Sequence, residues 1–248
     1  MKVHSIESLG AVDGPGLRFV VFLPGCPLRC RYCHNPDAQA FDGGEEVTLD
    51  ELRRRIERMR SYFGASYAPG AARPTGGVTV SGGDPLARPD DAAALVALCH
   101  ELGVHVALDT AAGWREGEAA AALAVAARAD LLILDIKHPD AGKCRQLTGR
   151  GNEGAFRLLA AAQARGQPVW IRHVAVPGFT DEATVRALAA ALKPYPCVER
   201  VDLLGFHRLG EEKYAALKRP YPMGDTPDFG PVELARLRQI LHAKTVVQ

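Results

Sequence analysis

The sequence predicts an α/β fold built on a largely parallel sheet of six strands. Three features support this. Short apolar runs alternate with longer Ala-rich or charged segments along the chain, and strict βα alternation implies parallel strands joined by right-handed crossovers. The run Leu131 to Lys137 (LLILDIK) is almost unbroken apolar, as a strand covered on both faces should be. Glycine and proline then punctuate the ends of these segments, at Gly103, Gly166 and Pro177-Gly178. Six βα units suit a partial barrel or an open doubly wound sheet, and periodicity leaves both open.

Leu17 to Leu23 (LRFVVFL) reads as a buried strand. Thr48 to Tyr62 reads as a helix, with Thr48 as N-cap and Glu51 at capping-box spacing. Gly77 to Ser81 is a short strand, and Pro89 to Leu102 a helix that stops at Gly103. Val104 to Asp109 is a strand and Trp114 to Arg128 an Ala-rich helix. Leu131 to Lys137 is the strongest strand, and residues 153–165 form a helix ended by Gly166. Val169 to Val176 is a strand closed by Pro177-Gly178, and Thr180 to Leu192 a helix capped by Thr180. Val198 to Leu204 is the last strand, and Pro231 to Lys244 a closing helix with proline at its start. Residues 64–76 and 208–230 read as loops. Neither a repeat nor a linker interrupts this pattern, so a single domain over residues 1–248 is expected, a core with N- and C-terminal extensions.

Composition narrows the function. Thirty basic residues against 29 acidic leave a net charge of +1, with no basic excess for nucleic acid and no polybasic segment for a membrane surface. Hydrophobic residues at 47% and charged residues at 24% fit a globular chain. No run approaches the roughly 18 apolar residues of a membrane span. The start, Met1 to Glu7, is too polar for a signal peptide, so a cytoplasmic protein is expected.

Of six cysteines, three fall within eight residues, in Gly25-Cys26-Pro27-Leu28-Arg29-Cys30-Arg31-Tyr32-Cys33-His34. Cys99, Cys144 and Cys197 are scattered, which argues against a disulfide framework. Three thiolates on one tight loop can hold three irons of a 4Fe–4S cube, leaving the fourth iron open to a substrate or cofactor. The competing reading is a non-catalytic zinc module with His34 as fourth ligand. Structural zinc usually pairs two separated Cys-x2-Cys knuckles, and there is no second knuckle here.

Cys-x3-Cys-x2-Cys with Tyr32 before the last cysteine resembles the cluster loop of radical S-adenosylmethionine (SAM) enzymes. Further segments resemble, in register, the glycyl-radical-enzyme activating enzymes of that superfamily. They are His4 to Ser8, Asp13-Gly14-Pro15-Gly16-Leu17-Arg18, Tyr32-Cys33-His34-Asn35, Trp170-Ile171-Arg172, Val176-Pro177-Gly178 and Leu203 to His207. The resemblance implies a partial (β/α)6 TIM-like barrel of the radical SAM type. It implies a 4Fe–4S cluster on Cys26, Cys30 and Cys33, with SAM on the open iron. The implied activity is reductive cleavage of SAM to a 5′-deoxyadenosyl radical, which abstracts hydrogen from a backbone glycine of a partner. That partner is a glycyl radical enzyme, pyruvate formate-lyase first among them, and the reductant a flavodoxin or ferredoxin-like protein. A monomer is expected. Another radical SAM enzyme, acting on a small molecule or peptide, is the rival within the superfamily.

The remaining candidate residues fall in or at the ends of predicted strands, most of them at the C-terminal ends where βα folds place their sites. Ser81-Gly82-Gly83-Asp84-Pro85 follows the second strand, and its glycines would let a ligand reach the backbone. The family's loop ends in Glu and binds the SAM amino group; here Asp84 is one methylene shorter. Asp135 and Lys137 lie two apart in one strand and so share a face. A structural ion pair and a ligand site would both account for them. By resemblance, Asp109 and Asp135 hold a monovalent cation and Lys137 the SAM carboxylate, while Ala111 and Ala112 stand where the family often has Asn or Ser. Tyr32, Cys33, His34, Ile136, Arg172 and His207 complete the implied SAM pocket, and Asp13 and His34 are implied near the partner's glycine loop.

Overall fold

The computed structural model describes residues 1–242. The chain divides into two compact units. The first comprises Met1–Pro27 and Ala38–Ile133, and the second Leu28–Asp37 and the chain from Leu134 onward.

The first unit opens with β1 (Lys2–Val3), β2 (Ser5–Gly10) and β3 (Leu17–Leu23). There follow β4 (Glu45–Glu46), α1 (Leu49–Met59), β5 (Gly76–Gly82), α2 (Pro89–Glu101), β6 (Val106–Thr110) and α3 (Ala119–Ala126). Strand β7 (Leu131–Asp135) begins in this unit. β3, β5 and β6 are parallel, with Leu17 beside Gly76, Leu23 beside Gly82 and Val78 beside Val106. β7 comes next in strand order after β6, and β2 lies antiparallel on the other side of β3. Phe19, Val20, Val21, Val78, Val80 and Leu108 are buried in the sheet, and Leu52 and Ile56 of α1 and Leu95 of α2 are buried with them. Each such side chain stabilises the fold by about 1.5–3 kcal/mol.

In the second unit β7 ends at Asp135 and is followed by α4 (Ala141–Thr148), α5 (Glu153–Arg165), β8 (Val169–Ala175), α6 (Glu182–Leu192) and β9 (Val198–Gly205). α7 (Glu211–Ala216) and α8 (Pro231–His242) close it. β8 and β9 are parallel. Along β8 burial alternates: Val169, Ile171, His173 and Ala175 are covered, while Trp170, Arg172 and Val174 lie on the other, partly open face. β3, β5, β6, β7, β8 and β9 are the six strands expected from the sequence.

Several boundaries differ from expectation for local reasons. Thr48 caps α1 as predicted, its hydroxyl accepting from Glu51 N at 3.1 Å. The Glu51 side chain turns instead to Arg55. Asp181, not Thr180, caps α6, accepting from Thr184 N at 2.7 Å, while the Thr180 hydroxyl accepts from Val176 N and closes the preceding turn. α3 begins at Ala119 rather than Trp114, because Gly117 (φ +81°) interrupts the chain just before it. The segment read as loop from 208 to 230 contains α7. The end expected for the closing helix, at Lys244, lies outside the described residues.

Candidate functional site

In the first unit the chain leaving β3 turns into the cysteine loop. Gly25 N donates to Ala38 O at 2.8 Å and Cys26 N to Gln39 O at 3.2 Å, which fixes the backbone around Cys26. Gly83 lies against the same turn: a Cβ there would stand 2.5 Å from Gly25 O and 2.6 Å from Ala38 O. Gly82 has φ +130°, and a Cβ there would collide with Leu23 O. The glycine pair is therefore demanded by close backbone packing at the ends of β3 and β5. Beside it the Ser81 hydroxyl donates to Asp109 Oδ2 at 3.2 Å, at the same ends of β5 and β6.

Asp13 precedes β3 at its starting end, yet its turn folds back along β5. Leu17 N donates to Thr75 O, and Gly16 (φ +66°) passes so close that a Cβ would overlap that carbonyl. The Thr79 hydroxyl, midway along β5, donates to Asp13 O at 2.7 Å and accepts from Arg18 Nε at 2.9 Å. Arg18 is fully buried; its guanidinium also reaches Val78 O and lies 3.2 Å from His105 Nδ1. Burial pushes the Arg18 pKa down to about 9. Arg18 and Thr79 thus anchor the Asp13 to Gly16 turn from within. Sequence reasoning missed Thr79, although Thr79 and Ser81 stand at strand spacing on one face of β5.

In the second unit the rest of the cysteine loop docks on the end of α4, through Arg29 N to Thr148 O at 2.7 Å and Arg31 N to Leu147 O at 2.8 Å. Burial pushes the Cys30 thiol up to about 12, against the opposing charge of Lys137. None of the six cysteines, all of them among the described residues, forms a disulfide. Tyr32 is buried with its hydroxyl unpartnered, and Lys137 Nζ lies 5.7 Å from its ring centroid. Lys137 Nζ also donates to Asp135 Oδ2 at 2.8 Å, with both side chains four-fifths or more covered (16% and 20% exposed). Burial opposes the Lys137 charge, yet Asp135, Tyr32 and Cys30 outweigh it and hold its pKa well above the usual lysine value. Between the two, Ile136 is pinned on both sides: its N–H donates to Arg172 O at 3.0 Å, and its carbonyl accepts from His173 Nδ1 at 2.7 Å.

His34 stacks on His207 at 4.3 Å between centroids and 18° between planes. His34 Nε2 donates to His207 O at 3.2 Å. Burial, followed by the nearby positive groups, lowers the His34 pKa despite that bond. His207 Nδ1 is buried with no partner. Lys213 of α7 ties the loop down, donating to Asn35 Oδ1 at 2.7 Å. The structure thus brings together Asp135 with Lys137 and Tyr32, and His34 with His207. In the first unit it brings Asp109 to Ser81.

These residues fit a cluster and SAM by their chemistry. The cysteines form no disulfide, and the second unit offers a charged ammonium with two buried, unpartnered polar atoms, Tyr32 Oη and His207 Nδ1. Among the described residues no three or more His, Cys, Asp or Glu gather as ligands of a single metal ion. A cube asks one thiolate of each of three irons.

The cysteine loop follows the first of the parallel strands, and a model of the Radical SAM superfamily, a class of enzymes, matches residues 20–191. The chain is 44% identical over 225 residues to a pyruvate formate-lyase-activating enzyme of Clostridium pasteurianum, covering 90% of each. It is 40% identical to that of Staphylococcus aureus (strain USA300), covering 94% of this chain and 92% of the relative. The chain therefore belongs to the radical SAM superfamily, among the pyruvate formate-lyase-activating enzymes. Solved structures share the fold. Streptococcus suis SuiB bound to the precursor peptide SuiA has a TM-score of 0.66 at 16% identity, over 91% of this chain and 45% of that one. A domain of pyruvate-formate lyase-activating enzyme from Bacteroides vulgatus has a TM-score of 0.53 at 24% identity, over 68% and 94%.

Proposed function

We propose that this chain activates a glycyl radical enzyme, with pyruvate formate-lyase as the partner. The observation that carries this reading is the relatedness to activating enzymes over nine-tenths of both lengths. When bound, the cluster and SAM supply one-electron reductive cleavage and hydrogen-atom abstraction from a glycine Cα.

The chain's own residues bind and orient. Cys26, Cys30 and Cys33 are the cluster thiolates, and the donation from Arg29 and Arg31 N–H groups to α4 holds their loop in one shape. Lys137, kept charged by Asp135, offers Nζ to the SAM carboxylate. Asp135 and Asp109 are the carboxylates for a monovalent cation, Asp109 being oriented by the Ser81 hydroxyl. His207 offers its unpartnered Nδ1, held in place by the stacked His34 ring. Gly82 and Gly83 offer backbone to the SAM amino group, and Tyr32, Ile136 and Arg172 are further residues for SAM. Asp13 and His34 face the partner's glycine loop.

Residues 1–248 act as a single radical SAM core domain, as a monomer in the cytoplasm, with a flavodoxin or ferredoxin-like reductant. No described helix is long and apolar enough to cross a membrane. The test is electron spin resonance of pyruvate formate-lyase after anaerobic incubation with this protein, SAM and a reductant. A glycyl radical doublet that requires both this protein and SAM is expected; its absence with cluster-loaded protein refutes the proposed partner.

A further inference from the structure

Asp84 is almost fully buried, with 1% exposure, yet its carboxylate is saturated by this chain alone. Oδ1 accepts from Leu86 N at 3.0 Å and from the Thr110 hydroxyl at 2.7 Å. Oδ2 accepts from Ala111 N and Gly113 N, both at 2.9 Å. A carboxylate has about four lone-pair sites, and four donors occupy them. Burial raises the Asp84 pKa, and these same four donors work against the rise. The amide between the two loop donors, Ala112 N, donates to the Thr110 hydroxyl at 2.9 Å. Three successive N–H groups are thus gathered on one buried anion, two directly and one through Thr110.

The loop is bent to make this possible. Ala112 has φ +58°, a left-handed conformation that costs a non-glycine residue free energy and persists only when its surroundings impose it. The Asp84 backbone is fixed on its other side, donating from N to Gly25 O at 2.9 Å, one residue before Cys26. Asp84 therefore ties the turn that carries Cys26 and Gly83 to the loop that follows Asp109.

We propose that Asp84 is a positioning residue rather than a SAM ligand: it clasps the 110–113 loop so that Asp109 and the Gly82-Gly83 backbone stand in binding geometry. The inference rests on the proposed function and deepens it. The short side chain suits the clasp, because the amides are spaced for a carboxylate one methylene from the backbone. The alanines at 111 and 112 suit it as well, since the clasp uses only their backbone.

The test uses the full-length chain. Asp84→Asn preserves size but turns an amino group toward backbone donors. In protein without SAM, amide hydrogen exchange at Ala111, Ala112 and Gly113 should speed up about tenfold or more. Iron content should match the parent, and SAM affinity of the cluster-loaded variant should fall by about tenfold. In uncoupled SAM cleavage the KM for SAM should rise while kcat stays within about twofold. Asp84→Glu, one methylene longer, should loosen the same amides. If Asp84→Asn does not fold, Thr110→Val removes one donor to Asp84 and the acceptor of Ala112 N, and should shift the same readouts in the same direction. Weakened SAM binding with unchanged amide exchange would make Asp84 a direct ligand and overturn the proposal. Faster exchange with unchanged SAM affinity would reduce it to a structural tie and overturn it equally. Parent protein that holds iron and sulfide but binds no SAM would sink the proposed function and this inference together, whereas the variant outcomes sink this inference alone.

Discussion

Acid should destabilise this protein through His173, by an amount the structure sets. His173 sits on β8 with 1% exposure. Its Nδ1–H donates to the Ile136 carbonyl, and its Nε2 is buried without a partner. Burial pushes its pKa from 6.5 down to about 4. The folded value lies below the unfolded one, so this contribution to stability is complete above about pH 6.5 and is lost as the pH falls toward 4. Linkage with these two values gives a loss of about 2 kcal/mol at pH 5 and about 3 kcal/mol at pH 4. His105, lowered to about 4 by burial and by Arg18, adds a loss in the same window. His173→Phe removes one titration. It also removes the bond to Ile136 O, a cost of about 1 kcal/mol at pH 8. Between pH 8 and pH 5 the variant should nevertheless lose about 2 kcal/mol less than the parent, equivalent to roughly 4–8 °C in Tm for a chain of this size. Anaerobic urea unfolding at pH 8, 6 and 5 measures this. Equal pH dependence in variant and parent would show that His173 is not the group that titrates.

The site itself makes three further outcomes expected. Anaerobic reconstitution should give about four irons per chain, and changing Cys26, Cys30 or Cys33 to Ala should abolish cluster binding and SAM cleavage, while Cys99→Ala changes neither. Stoichiometric zinc without acid-labile sulfide would contradict this. Lys137→Ala and His207→Ala should each weaken SAM binding by roughly 10- to 150-fold with iron content intact, the loss of one charge-assisted bond; unchanged affinity in both would remove these residues from the SAM pocket. Asp13→Ala should leave the cluster and uncoupled SAM cleavage intact but slow glycyl radical formation on the partner, read by electron spin resonance. Loss of the cluster in that variant would make the turn structural, and an unchanged rate would exclude it from docking.

The six strands and the cysteine loop were legible in the sequence, because each is written in adjacent positions. An apolar run such as LRFVVFL or LLILDIK declares a buried strand, and Cys-x3-Cys-x2-Cys is a local pattern that can be compared with known cluster loops. Weakly patterned segments were not legible. β2 (SIESLG) is an exposed edge strand whose partner, β3, supplies the apolar face. Thr180 and Asp181 are both good caps, and which one serves depended on the turn at Val176. What the isolated polar residues contact was decided by packing. The sequence leaves the role of Asp84 open, and the fold brings three amides and a hydroxyl onto its carboxylate. Asp135 and Lys137 could be placed on one face by counting, but their 2.8 Å pairing beside Tyr32 came from the folded chain. Arg18 read as one letter of a motif, and burial made it the anchor of the Asp13 turn. The physical reason is common to all three. A buried charge is stable only where donors or acceptors remote in sequence converge on it, and local pattern carries no record of which remote groups will arrive.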